Sequence, residues 1–167
     1  MKVLSLFDGI SCARVALEKL NVKEFIDYTR LYFEDRKPDA YEKIEFGDYI
    51  WEIAAYRNET FQQMSFINGI WTKDGGKHVE CVLKQISKRL SEMVMSKKKG
   101  IENFKPKYIE DHLFIFVRAT VNQPEFSSQS KESLKTPISK FFSNKEKIEL
   151  SEAFITKLYK CGIIEDA

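Results

Sequence analysis

Residues 72–121 read TKDGGKHVECVLKQISKRLSEMVMSKKKGIENFKPKYIEDHLFIFVRATV, and the fold turns on that stretch. It opens with Thr72-Lys73-Asp74-Gly75-Gly76, a composition that punctuates rather than continues an element. Val79, Val82, Leu83, Ile86, Leu90, Met93 and Val94 then keep the i, i+3, i+4, i+7 rhythm of one apolar helix stripe. The helix closes on Lys97-Lys98-Lys99-Gly100, where cations suit the negative end of the helix dipole and glycine supplies a left-handed cap. A loop containing lysine and proline leads into His112 to Val121, where Leu113, Phe114, Ile115, Phe116 and Val117 run without alternation. A strand of that kind is buried on both faces, as at the centre of a sheet.

Working outward, Tyr49 to Arg57 reads as a strand with Trp51, Ile53 and Ala55 on one face. Asn58-Glu59-Thr60 then predicts a hairpin turn into a second strand, where Met64, Phe66 and Ile70 share a face. Upstream, Phe25, Tyr28, Leu31 and Tyr32 stand at helical spacing, and the polar stretch from Glu34 to Asp48, with Pro38, reads as a loop. At the N-terminus a short apolar run, residues 3–7, breaks at Asp8-Gly9, and Ser11 can cap a helix burying Val15, Ala16 and Leu20. Downstream, Pro124 closes the long strand and residues 125–148 are polar with little periodicity. Ser151 starts a last helix that buries Phe154, Ile155 and Leu158. The order α-β-β-α-β-α predicts an α+β domain, a mixed sheet with helices packed on one face.

A chain of 167 residues can bury a core without covalent staples, and 43% hydrophobic with 13% aromatic content excludes disorder. The formal charge of +2 names no partner, yet it is unevenly spread. Lys73 to Lys107 holds ten Lys/Arg against four Asp/Glu, a local +6 that leaves −4 elsewhere. Such a stretch is either a phosphate-facing surface or a solvated helix face with a charged loop. Cys12, Cys81 and Cys161 make neither a disulfide framework nor zinc spacing, which predicts a reducing, intracellular setting. No apolar run has the length of a membrane span, and the first apolar run is too short for an export signal.

No constellation for self-contained catalysis is present. His78 and His112 lack metal-ligand spacing and are expected to be structural, and no phosphate-binding loop or nucleophile elbow occurs. Gly75-Gly76 before a helix can bind an anion through free N–H groups or simply permit a tight helix entry.

Two segments resemble known families. Val3 to Leu17, with Phe7-Asp8-Gly9-Ile10 at its centre, resembles the first motif of cytosine-5 DNA methyltransferases, whose opening strand, turn and helix hold S-adenosylmethionine. Ala13 departs from that motif's usual glycine, and no cysteine follows Pro38, Pro106, Pro124 or Pro137 to serve as that family's nucleophile. Methyl transfer is therefore not expected; a remnant of such an enzyme stands as one alternative reading.

The second resemblance runs from about Phe25 to the C-terminus. Phe61 to Ile70, Thr72 to Val79, His112 to Val117, Pro124 to Glu132, Leu150 to Phe154 and Cys161-Gly162-Ile163 are similar to the transducer domain of type II DNA topoisomerases of the eukaryotic, viral or phage kind. The resemblance implies a ribosomal-protein-like fold with a left-handed β-α-β crossover. It divides the chain into a methyltransferase-like appendage, residues 1–22, and a transducer domain, residues 23–167.

It also implies roles. In that family a Gln-Thr-Lys loop reaches the γ-phosphate of ATP held by a preceding domain; Gln129 and Lys131 take those positions, with Ser130 for threonine. Lys97, Lys98, Lys99, Lys105 and Lys107 fall where the family carries a basic loop facing double-stranded DNA. A non-catalytic DNA-binding module is the other alternative. The expected cofactor is ATP, bound mainly by residues outside this chain, with magnesium needed only by the full enzyme. The expected partners are the topoisomerase ATP-binding and cleavage domains, within a homodimer. The expected place is the cytoplasm or nucleus, a virus- or phage-infected cell included.

Overall fold

The computed structural model describes residues 24–97, 104–143 and 146–164. Five strands form one mixed sheet: β1 (Ala40–Phe46), β2 (Tyr49–Arg57), β3 (Gln62–Ile67), β4 (Ile70–Trp71) and β5 (Leu113–Ala119). Their spatial order is β1-β2-β5-β3-β4. The helices are α1 (Phe25–Arg30), α2 (Lys77–Lys97), α3 (Pro106–Asp111) and α4 (Glu152–Lys160), with a 3-10 turn at Ile138–Lys140.

The non-alternating strand β5 does take the centre, antiparallel to β2 and parallel to β3. Leu113, Ile115, Val117 and Ala119 point into the main core, while Phe114 and Phe116 enter a second cluster on the opposite face. This placement corrects the expected hairpin. The chain turns after β2, but β5 separates β2 from β3, because only a central position buries both faces of so apolar a strand. The parallel β3/β5 pair is joined through α2 and α3, the β-α-β unit of the domain.

Two further corrections concern edges. Residues 40–46, read as loop, form β1, paired with β2 from Ala40↔Ala55 to Phe46↔Tyr49. Its charged Lys43 and Glu45 face outward and bond each other at 2.6 Å, which suits an edge strand and hides the pattern. The expected single strand through Ile70 is broken by Asn68-Gly69, both at positive φ (48° and 82°), a two-residue hairpin turn into β4. Asn68 also receives the Val121 N–H on Oδ1 and donates to the Val121 carbonyl, each at 2.9 Å, pinning the exit of β5.

On the main face α2 buries Val79, Val82, Ile86, Leu90 and Val94 without exposure above 4%. α4 joins the same core through Phe154, Ile155 and Leu158. Ser151 caps it by accepting the Phe154 N–H at 3.2 Å, as the sequence predicts. Gln85 ties this segment to α2, donating to the Ile148 carbonyl at 2.9 Å and accepting from Leu150 N–H at 3.0 Å. The opposite face is covered as well, by the short α1. Phe25 and Tyr28 pack on Phe66, and Phe33 stacks on Tyr56 at 3.9 Å between centroids. Thr29 and Tyr56 share a buried hydroxyl contact at 3.0 Å, so the aromatic layer carries its polar atoms paired.

Candidate functional site

β5 ends at Ala119, before the Pro124 expected to close it, and beyond Pro124 the chain makes a narrow ribbon before reaching the 3-10 turn. Its two legs are bonded by Lys135 N–H to the Glu125 carbonyl at 2.8 Å and Ser127 N–H to the Ser133 carbonyl at 2.9 Å. Thr136 adds its Oγ1, which accepts the Glu125 N–H at 2.8 Å. Phe126 and Leu134 face each other across this ladder, Leu134 being 1% exposed within the main core. Residues 127–131 form the tip, and all five are exposed.

The tip is itself ordered by short contacts. Ser128 and Ser130 hydroxyls meet at 2.7 Å, and the Lys131 N–H donates to the Ser128 carbonyl at 3.1 Å. Lys131 lies at φ +56°, in the left-handed region that costs an ordinary residue about 1–2 kcal/mol. Its Nζ sits 5.9 Å from the centroid of the Phe126 ring. Gln129 and Lys131 are thus both exposed on a tip whose base is held by backbone hydrogen bonds. A donor pair of that kind suits a phosphate; among the described residues no metal-holding group of His, Cys, Asp or Glu accompanies it.

The lysines of the basic tract are placed differently. Lys97, in the last turn of α2, lays its ammonium 4.4 Å from the Tyr159 ring centroid on α4. Lys107 pairs with Asp111 at 3.0 Å and Glu110 at 3.8 Å on α3, and the Asp111 carboxylate holds its ammonium above the ordinary lysine value. Lys105 is exposed at the N-cap of α3. Lys98 and Lys99 lie outside the described residues, as does the whole appendage 1–22. Exposed ion pairs of this sort exchange readily, being worth about 0–1 kcal/mol.

Gly75-Gly76 does not form an open anion cradle. The segment 132–136 fills the entry to α2, its Leu134 carbonyl taking the Lys77 N–H at 3.1 Å. Beneath it lies a polar knot with no signature in the spacing. Ser65 and Thr72 hydroxyls meet at 2.7 Å, and Thr72 Oγ1 lies 3.2 Å from His78 Nε2. His78 is fully buried, and burial pushes its pKa down to about 3. His112 closes α3, its Nδ1 at 2.8 Å from the Tyr108 carbonyl. The Lys73–Glu132 ion pair at 3.5 Å and Gln63, donating to the Lys73 carbonyl at 2.7 Å, complete the surroundings of the ribbon.

The comparisons with known proteins agree with this architecture. A family model described as DNA gyrase B matches residues 18–162. DNA topoisomerase 2 of Bombyx mori is 36% identical over 156 residues, covering 89% of this chain and 10% of that protein. The ATPase region of Saccharomyces cerevisiae topoisomerase II superposes with a TM-score of 0.71 at 29% identity, over 89% of this chain and 38% of that one. The ATPase and transducer domains of DNA topoisomerase II from Balamuthia mandrillaris give 0.71 at 28% identity, over 86% and 35%. The chain thus spans about a tenth of the length of the curated relative it matches. None of these relatives is a methyltransferase, so the resemblance at residues 1–20 gains no support from them. On the breadth of the family match and the shared mixed sheet, the chain belongs to the DNA gyrase B family and corresponds to part of the ATPase region of type II DNA topoisomerases.

Proposed function

We propose that residues 23–167 act as a transducer within a type II topoisomerase, reading nucleotide state at the 127–131 tip and passing it toward DNA. The observation that carries this reading is the exposed Gln129 and Lys131 pair on a base fixed by backbone hydrogen bonds. ATP would be held mainly by a separate domain; this chain offers one amide and one ammonium to its terminal phosphate. A lysine there binds strongly only while that phosphate is present, which is the differential contact a switch requires.

The second half of the proposal concerns DNA. α2 has 21 residues, so about 30 Å of helix separates Lys77, beside the tip's base, from Lys97. Lys97, Lys98, Lys99, Lys105 and Lys107 would contact duplex phosphates without reading bases, as suits passage of any sequence. The partners are then the ATP-binding and cleavage domains of a homodimeric enzyme, within the cytoplasm or nucleus.

The test mixes this chain with a separately prepared ATP-binding domain of a eukaryotic relative and follows ATP turnover. The reading predicts stimulation by the chain and its loss on Lys131→Ala, with partial retention in Lys131→Arg. Equal turnover with the unsubstituted and Lys131→Ala chains would contradict it.

A further inference from the structure

Leu134 has two backbone neighbours. Phe126 flanks it within the ribbon, and Gly76 flanks it in parallel on the other side. Its N–H donates to the Gly75 carbonyl at 3.0 Å, its carbonyl accepts the Lys77 N–H at 3.1 Å, and the Glu132 carbonyl accepts the Asp74 N–H at 2.8 Å. The ribbon that bears Lys131 is thereby stitched, backbone to backbone, onto the first turn of α2.

Gly76 is what allows this approach. A Cβ there would stand 2.5 Å from both the nitrogen and the oxygen of Leu134, and 2.9 Å from its Cα. Those are backbone atoms that cannot rotate aside, and Leu134 is held in the core by its own buried side chain. Gly76 also sits at φ +131°. Gly75 differs: at φ +73° it serves the turn, and a Cβ on it would meet only side-chain atoms of Gln63 and Val79 at 3.4–3.5 Å.

We infer that Gly76 is a positioning residue, the joint that docks the Lys131 ribbon onto α2 so that tip and helix move as one body. Any displacement of the tip then reaches the Lys97 end of α2 as a rigid-body motion and does not dissipate in a loose loop. Its consequence for turnover rests on the reading of Lys131 given above; the docking itself does not.

Two measurements separate these layers. Amide hydrogen exchange on the unsubstituted chain reads the joint directly: the Asp74, Lys77 and Leu134 amides should exchange as slowly as Val82 to Ile86 within α2. Exchange of those three amides as fast as the exposed tip would overturn the inference, whatever any variant does. In the turnover assay Gly76→Ala should lower stimulation about ten- to a hundredfold, the scale of a 1 Å misplacement. The double variant should lose no more than Lys131→Ala alone, and Gly75→Ala should cost several-fold less than Gly76→Ala. A folded Gly76→Ala chain with undiminished stimulation, beside a Lys131→Ala chain that has lost it, would overturn the joint and leave the phosphate reading standing. Unchanged turnover in Lys131→Ala would sink the phosphate reading instead, with the exchange rates alone deciding the joint. If Gly76→Ala does not fold, the exchange measurement still decides.

Discussion

Burial keeps the His78 imidazole neutral: the ring is fully enclosed, touches Thr72 Oγ1 through Nε2, and leaves Nδ1 without a hydrogen-bond partner. Its folded pKa near 3 lies below the ordinary 6.5, so between those values the unfolded chain binds a proton that the folded chain refuses. Stability from this residue is therefore complete above about pH 6.5 and drains away as pH falls toward 3, at up to about 1.4 kcal/mol per pH unit. His78→Gln, whose side-chain amide can donate to or accept from Thr72 Oγ1, should flatten the fall in Tm between pH 7 and 4. Parallel curves for the two proteins would refute that account. At this scale the sequence is least legible. Nothing in the spacing of Ser65, Thr72 and His78 announces their knot, and Gly75-Gly76 reads as an anion site or a tight helix entry with no hint of the backbone of Leu134 packed against it. Lys131 stands out only through its family resemblance, because an exposed loop lysine has no pattern of its own.

Elements were legible where burial dictates composition and obscure where it does not. β5 declared its central place through five consecutive apolar residues, and α2 and α4 through their stripes. β1 leaves no clear signal because an edge strand carries charges on its open face, and the order of the chain does not reveal the strand inserted between β2 and β3. Phe116, fully buried at the sheet centre, should cost about 3–5 kcal/mol when cut to alanine, as read by urea unfolding. A loss below about 1 kcal/mol would mean that the second aromatic face is loosely packed. Ser151→Ala removes the cap of α4 and should cost about 1 kcal/mol by the same method. No change there would show that the cap bond does not persist in solution.

In the proposed transducer, phosphate recognition would lie at both ends of α2, nucleotide at one and duplex at the other. DNA affinity should fall steeply with salt, and each lysine among Lys97, Lys105 and Lys107 that contacts a phosphate should reduce the salt slope by about 0.9 when changed to glutamine. The loss should be alike for unrelated duplex sequences; a loss confined to one sequence would contradict backbone contact. Lys97 and Lys107 must first leave Tyr159 and Asp111, weak partners that a phosphate can outbid. The proposed contact between Lys131 and the terminal phosphate is open to an affinity label. An ATP analogue bearing an amine-reactive aldehyde on its γ-phosphate, added to this chain with the ATP-binding domain, should after reduction and peptide mapping mark Lys131. Marking of Lys77 or Lys135 with Lys131 untouched, or no marking of this chain at all, would contradict the account.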